Sequence, residues 1–177
     1  MGSNACTIIA VIWAMKFLSG TVPVPSPHNI LSTVAAFANS MREGNILYNN
    51  LNLPVNQPNL NVQEALATRY DKFGLTMIED SAVFSPACLK DKLILMTISS
   101  GNKCAIIIAP PDKSMLLCFS SREQKVSLFE SHSHGNQGGL LAIASYEQID
   151  SFVLFLEYMC LCDWVSSISG ANISVVQ

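Results

Sequence analysis

The chain has 177 residues and a mass of 19.2 kDa, with half its residues hydrophobic and only 13% charged. That composition excludes a disordered chain and predicts one domain, residues 1–177, large enough to bury its own core. A net charge of −3, a pI near 5.5 and ten scattered Lys and Arg leave no basic footprint for nucleic acid or anionic lipid.

From Ala5 to Ser19 the residues Ile8, Ile9, Val11, Ile12, Trp13, Met15, Phe17 and Leu18 leave no polar face. A helix that is apolar all round is a buried helix, and Gly20 is its expected end. Cys6 sits in its first turn. The apolar run "ACTIIAVIWAM" is too short to cross a bilayer. It also lacks the preceding Lys or Arg of a signal peptide, and Lys16 falls where cleavage would occur. "MGSNAC" misses the myristoylation pattern because its sixth residue is Cys6. Met1, Gly2 and Ser3 read as residues added ahead of a domain cut from a larger protein.

Ser26 as cap and Pro27 at the first helical position predict a second helix that stops near Gly44. His28, beside Pro27, reads as a surface residue. The Asn/Pro-rich stretch "NNLNLPVNQPNLN" is a loop, and Asn61 with Glu64 makes a capping-box start for a third helix, "VQEALATRY". The second half then offers five β-prone runs: "DKLILMTIS", "KCAIIIAP", "SMLLCFS", "KVSLFES" and "GLLAIAS". Their spacing of about ten residues predicts an antiparallel meander, and "YEQIDSFVLFLEYM" a last helix after Ser145. Helices first and strands after read as an α+β fold.

Six cysteines stand at 6, 88, 104, 118, 160 and 162, without any CxxC spacing. Cys104 and Cys118 lie inside apolar runs, where a thiol behaves as a small hydrophobe. The pattern predicts a reducing compartment, cytoplasm or nucleus.

Two places carry chemistry. A thiol at a helix N-terminus feels unpaired N–H groups and the positive end of the helix dipole, which favour the thiolate and could hold an oxyanion. In Glu130-Ser131-His132, residues two apart on a strand share a face, so the carboxylate can orient the imidazole and leave its other nitrogen for a thiol. Cys6, His132 and Glu130 thus have the makings of nucleophile, base and base-orienting acid. His134 is an alternative base. A metal is not expected, because His-x-His with one acid falls short of four ligands and Cys160 and Cys162 would not share a helical face.

With Cys6 in "SNACTIIA" and Glu130 and His132 in "LFESHSHG", the chain resembles the papain-like deubiquitinase domains of the herpesvirus large tegument protein and their tegument-like relatives. The resemblance runs over most of residues 4–158. It implies a papain-like cysteine protease fold, with a buried N-terminal helix packed on an antiparallel sheet. It also implies a thiol-dependent isopeptidase that needs no cofactor, works as a monomer away from membranes, and cuts after the C-terminal glycine of ubiquitin or a ubiquitin-like partner. The family has Asp where Glu130 stands, and an upstream glutamine as oxyanion donor; Asn4 is the candidate amide here. The alternatives are a Cys-His-acid protease or acyltransferase on another acyl group, and a ubiquitin-binding module with a degenerate site.

Overall fold

The computed structural model describes residues 4–54, 58–68, 74–134 and 138–177. Met1–Ser3, the last two residues of the expected third helix (Arg69 and Tyr70) and residues 135–137 of the glycine-rich turn lie outside the described residues. Helices are α1 (Cys6–Leu18), α2 (Ile30–Asn50), α3 (Val62–Ala67), α4 (Pro86–Ile98) and α5 (Ile149–Asp163), the last preceded by one 3₁₀ turn at Tyr146–Gln148. Strands are β1 (Met77–Val83), β2 (Lys103–Ala109), β3 (Lys113–Ser120), β4 (Lys125–Glu130), β5 (Leu140–Ser145) and β6 (Ala171–Val176). They form one six-stranded antiparallel sheet in the order β1-β6-β2-β3-β4-β5.

Strand alternation divides the apolar residues between two layers. On β2 and β3, Cys104, Ile106, Leu116 and Cys118 face α1, whereas Ala105, Ile107, Leu117 and Phe119 join Leu89 and Leu93 of α4 and Phe152 and Leu156 of α5. The sheet therefore lies between α1–α3 on one side and α4–α5 on the other. α1 is enclosed by β2 and β3 below and by α2 and α3 around it, with Ile8, Ile12 and Trp13 fully buried.

The run of β-branched residues in α1 is a poor helix former, at roughly 0.5 kcal/mol per residue. Each large side chain gains roughly 1.5–3 kcal/mol on burial, so tertiary packing decides the conformation. The aromatic rings of Trp13, Phe37 and Phe129 close the layer, with centroids 4.6–5.3 Å apart.

Three expectations need correction. The second helix neither starts at Pro27 nor stops near Gly44; it runs from Ile30 to Asn50, with Asn29 at the N-cap position. Gly44 is where it crosses α1, and a Cβ there would meet Ile9 Cγ1 at 2.5 Å. The glycine permits close approach rather than ending the helix.

"DKLILMTIS" is not a strand but the body of α4. Ser85 caps it by accepting from the Cys88 N–H at 3.1 Å, Pro86 takes the first position, and Leu89, Leu93 and Met96 form its buried stripe. The order of helices first and strands after also fails, because β1 precedes α4 and β6 closes the chain. The α+β class stands, as do α1, the meander from β2 to β5, the last helix and the Asn61–Glu64 capping box. His28 is exposed, and no described helix is long and apolar enough to cross a membrane.

Candidate active site

The N-terminus of α1 points to the end of the sheet where β3 begins and β4 finishes. Its N-cap, Ala5, has no side chain to accept from the first-turn N–H groups. Cys6 is 4% exposed and lines a hollow of about 320 Å³ with Asn4, Asn59, Pro111, Asp112, Lys113, His132 and Ser133. A second hollow of about 360 Å³ shares Asn59 and Asp112 and continues past Leu60 to Glu64 and Ile108. The polar cleft thus runs across the thiol and along the segment leading into α3.

The thiol has partners on two sides. Ser114, at the start of β3 and buried, has its Oγ 3.5 Å from Cys6 Sγ. Its Oγ lies 2.7 Å from Thr7 Oγ1, which donates to the Leu60 carbonyl at 2.8 Å. Counting protons gives one direction along the hydroxyls, Ser114 to Thr7 and Thr7 to Leu60, while the thiol has two acceptors, Ser114 Oγ and the Asp112 carbonyl at 3.8 Å. Once the thiol ionises it can only accept, so the Ser114 hydroxyl turns toward sulfur. On the other side lies the imidazole of His132, which lines the same hollow and whose charge favours the thiolate.

His132 Nδ1 is bonded to Glu130 Oε1, and the same oxygen accepts the His132 backbone N–H at 2.7 Å. That fixes the tautomer and leaves Nε2 for sulfur. β4 ends at Glu130, so His132 lies just beyond the strand rather than on it. The two residues still face each other because the backbone N–H folds back onto the carboxylate. The Glu130 side chain is fully buried. A Cβ at Gly139 would meet the Glu130 carbonyl oxygen at 2.5 Å, so glycine is what lets β5 begin directly opposite, with Leu140 paired to Glu130.

The electrostatics follow from these contacts. Burial pushes the Cys6 thiol up, but the hydrogen bonds of His132 and Ser114 and the imidazole's charge outweigh it, leaving the thiol below its ordinary value. Burial likewise opposes charge on His132. Its bonds to Cys6 and Glu130, and their negative charge, prevail and lift the imidazole from 6.5 to about 9. Glu130 is held below the usual carboxylate range because the His132 bonds and charge overcome its burial. These contacts favour the thiolate and the imidazolium over the neutral pair.

The structure brings Cys6, His132 and Glu130 into one chain of contacts, and puts Asn4, exposed, at the mouth of the same hollow. His134 is close but does not reach the thiol; its ring lies between Glu130 and Asp163. Four contributors escape sequence reasoning. Ser114 and Asn59 carry no motif and are brought in by the β2–β3 turn and the α3 approach. Asn59 donates to Asp112 Oδ2 at 3.1 Å. Trp164 stands edge-on to the His132 ring at 5.7 Å, with Lys113 Nζ 5.3 Å from its own ring centre. Asp163 ends α5. Among the described residues no group of three or more His, Cys, Asp or Glu is arranged to hold a metal ion.

No protein-family model matches the chain, and no curated protein does. Among solved structures it is similar to the Pseudomonas avirulence protein AvrPphB, with a TM-score of 0.61 and 15% identity over 98% of this chain and 92% of that one. AvrPphB has a papain-like cysteine protease fold, and that is the fold of this chain: a buried helix carrying the candidate thiol, packed on an antiparallel sheet that carries the candidate base.

Proposed function

We propose that this chain is a cysteine protease of the isopeptidase kind, which hydrolyses the bond after the C-terminal glycine of ubiquitin or a ubiquitin-like modifier. One observation carries the protease reading: a thiol at the first turn of a buried helix lines one hollow with an imidazole whose Nδ1 is held by a buried carboxylate. The likeness to AvrPphB supports a papain-like protease. The choice of ubiquitin rests on the resemblance of "SNACTIIA" and "LFESHSHG" to the tegument deubiquitinases.

In this reading the Cys6 thiolate attacks the carbonyl carbon of the scissile bond. The carbonyl oxygen takes up the charge against the N–H groups of the α1 first turn, with the Asn4 amide as a further donor from the mouth of the hollow. His132, already protonated, gives its proton to the leaving lysine amine as the C–N bond breaks, and a thioester to Cys6 remains. Neutral His132 then takes a proton from water, whose oxygen attacks the thioester carbon. Departure of sulfur releases the carboxylate and restores thiolate and imidazolium. Glu130 keeps its charge throughout and stabilises the imidazolium.

A ubiquitin suicide probe with an electrophilic C-terminus tests the reading. The expected result is a covalent adduct mapped to Cys6 and absent from Cys6→Ala. If the chain resists every probe of this class but cleaves an ordinary peptide bond, the modifier substrate is wrong and the protease remains.

A further inference from the structure

Glu130 has more partners than an orienting acid requires. One carboxylate oxygen serves His132, through both ring and backbone; the other lies 2.5 Å from His134 Nε2. The opposite nitrogen of that ring, Nδ1, lies 2.6 Å from Asp163 Oδ2, on the last residue of α5. The Glu130 carboxylate is thus held at both oxygens, and the C-terminal end of α5 is tied to the end of β4 through one imidazole.

Hydrogen-bond counting says what His134 does there. The ring already has a carboxylate oxygen within hydrogen-bond distance of each nitrogen. It has no lone pair directed at the thiol, and its two nitrogens point at Glu130 and Asp163 instead. That argues against the alternative-base role. It also gives a reason for glutamate at this position. The extra methylene adds a rotor that a single imidazole would leave under-fixed, but it also carries the carboxylate far enough to be gripped from two sides. Among the described residues, the titratable or charged groups around the cluster include Cys160, which lies near Glu130 from within α5, Tyr158 of the same helix, which feels Asp163, and Lys113 of β3, which sits over Trp164.

We propose that His134 and Asp163 form a clamp that fixes the Glu130 carboxylate and, through it, the His132 ring, making His134 a positioning residue of the Cys6 site. This rests on the Cys6–His132–Glu130 reading but not on ubiquitin being the substrate.

The experiment is the pH dependence of Cys6 alkylation by iodoacetamide in the whole chain, located by peptide mapping, for wild type and for His134→Ala, Asp163→Ala, Glu130→Asp and the double variant Glu130→Asp/His134→Ala. His134→Ala is expected to move the Cys6 midpoint upward and slow alkylation on its acid side by about tenfold, the scale of one charge-assisted hydrogen bond. Asp163→Ala should move it the same way by less, since it loosens the ring without removing it. Glu130→Asp should leave little for His134→Ala to remove, so the two changes combine to less than their sum.

A lowered melting temperature with an unmoved midpoint overturns the clamp, because a purely structural role predicts that result. If His134→Ala does not fold, Asp163→Ala decides on the same criterion. A wild-type midpoint at the ordinary thiol value removes the thiol–imidazole pair and the clamp with it. A depressed wild-type midpoint with no ubiquitin adduct removes only the substrate and leaves the clamp standing on its own variants.

Discussion

Cys6 and Cys160 are both buried thiols, yet their surroundings drive them in opposite directions. Cys160 lies inside α5, and burial, followed by the negative charges of Glu157 and Glu130, pushes it up to about 12. Cys104 and Cys118 face each other across β2 and β3 with sulfurs 3.7 Å apart, and burial with that neighbour pushes Cys118 far up as well. Cys6 meets the same kind of burial penalty but has a cation and Ser114 beside it, and it comes out lowered. Burial is therefore not what activates a thiol in this fold. What separates Cys6 from the other two is the imidazole at the end of β4, raised by a carboxylate that water does not reach.

The sharpest way to break this comparison is to remove the imidazole. His132→Ala should turn Cys6 into a thiol like Cys160, with its alkylation midpoint at or above the ordinary value. Turnover in a peptide or ubiquitin-based assay should fall by roughly 10²–10⁴-fold, the usual share of a positioned acid–base group. If the midpoint stays low in this variant, the α1 N-terminus and Ser114 hold the thiolate without the imidazole, and the contrast with Cys160 has been drawn from the wrong group.

A second test uses pH. The thiolate–imidazolium pair appears as pH rises through the lowered value of Cys6 and disappears as pH rises through about 9, where His132 loses its proton. kcat/KM should follow a bell with its alkaline limb near that value, whereas alkylation of Cys6 should not fall there. Stability carries the same signature. The raised His132 contributes fully below its ordinary 6.5 and loses that contribution as pH climbs through about 9. Glu130, held low, contributes above its ordinary 4.5 and loses it as pH falls through its folded value.

The two halves of the site were unequally legible in the sequence. Cys6 could be placed because an all-apolar run with a cysteine at its head permits few other readings, and Glu130 and His132 because an acid two residues from a histidine has a simple geometric meaning. His134 was visible, but its role was not, since the carboxylate at its far side comes from Asp163, remote in sequence. Ser114, Asn59 and Trp164 are brought in by turns and packing that leave no local pattern. In the fold, "DKLILMTIS" misled because β-branched and long apolar residues suit a buried strand as well as a buried helix; the Ser85–Pro86 start decided it. β1 and β6 were overlooked for opposite reasons. "MIEDSAV" is an edge strand with exposed acids, and "ANISVV" is short and terminal, although it lies inside the sheet between β1 and β2.

Gly44 sharpens the comparison from the side of the scaffold. Gly44→Ala forces a methyl group toward Ile9, in the turn of α1 that follows Cys6. Overpacking of this kind costs roughly 1–3 kcal/mol, less any gain from helix propensity. The chain should melt several degrees lower while the folded fraction keeps the Cys6 midpoint, because the imidazole and the Ser114 hydroxyl do not move. A shifted midpoint would mean that the seating of α1 sets the thiol's reactivity along with its partners.

The smallest expected effect isolates the second partner. Ser114→Ala removes the hydroxyl that turns toward sulfur when the thiol ionises, but keeps the backbone N–H, which also favours the thiolate. A hydrogen bond to a charged group contributes about 1.5–3 kcal/mol. The S–O separation of 3.5 Å and the competing bond to Thr7 place this one near or below the lower end. Cys6 alkylation on the acid side of its midpoint should slow by about three- to tenfold, with the His132-dependent alkaline limb of kcat/KM barely displaced. Thr7→Val provides the opposite perturbation. Without Thr7 Oγ1 as an alternative acceptor, Ser114 has only sulfur to serve, and the midpoint should fall slightly rather than rise. If both variants move it upward, the hydroxyl chain from Cys6 to Leu60 acts as one packed unit, and Ser114 has no separate electrostatic effect on the thiol.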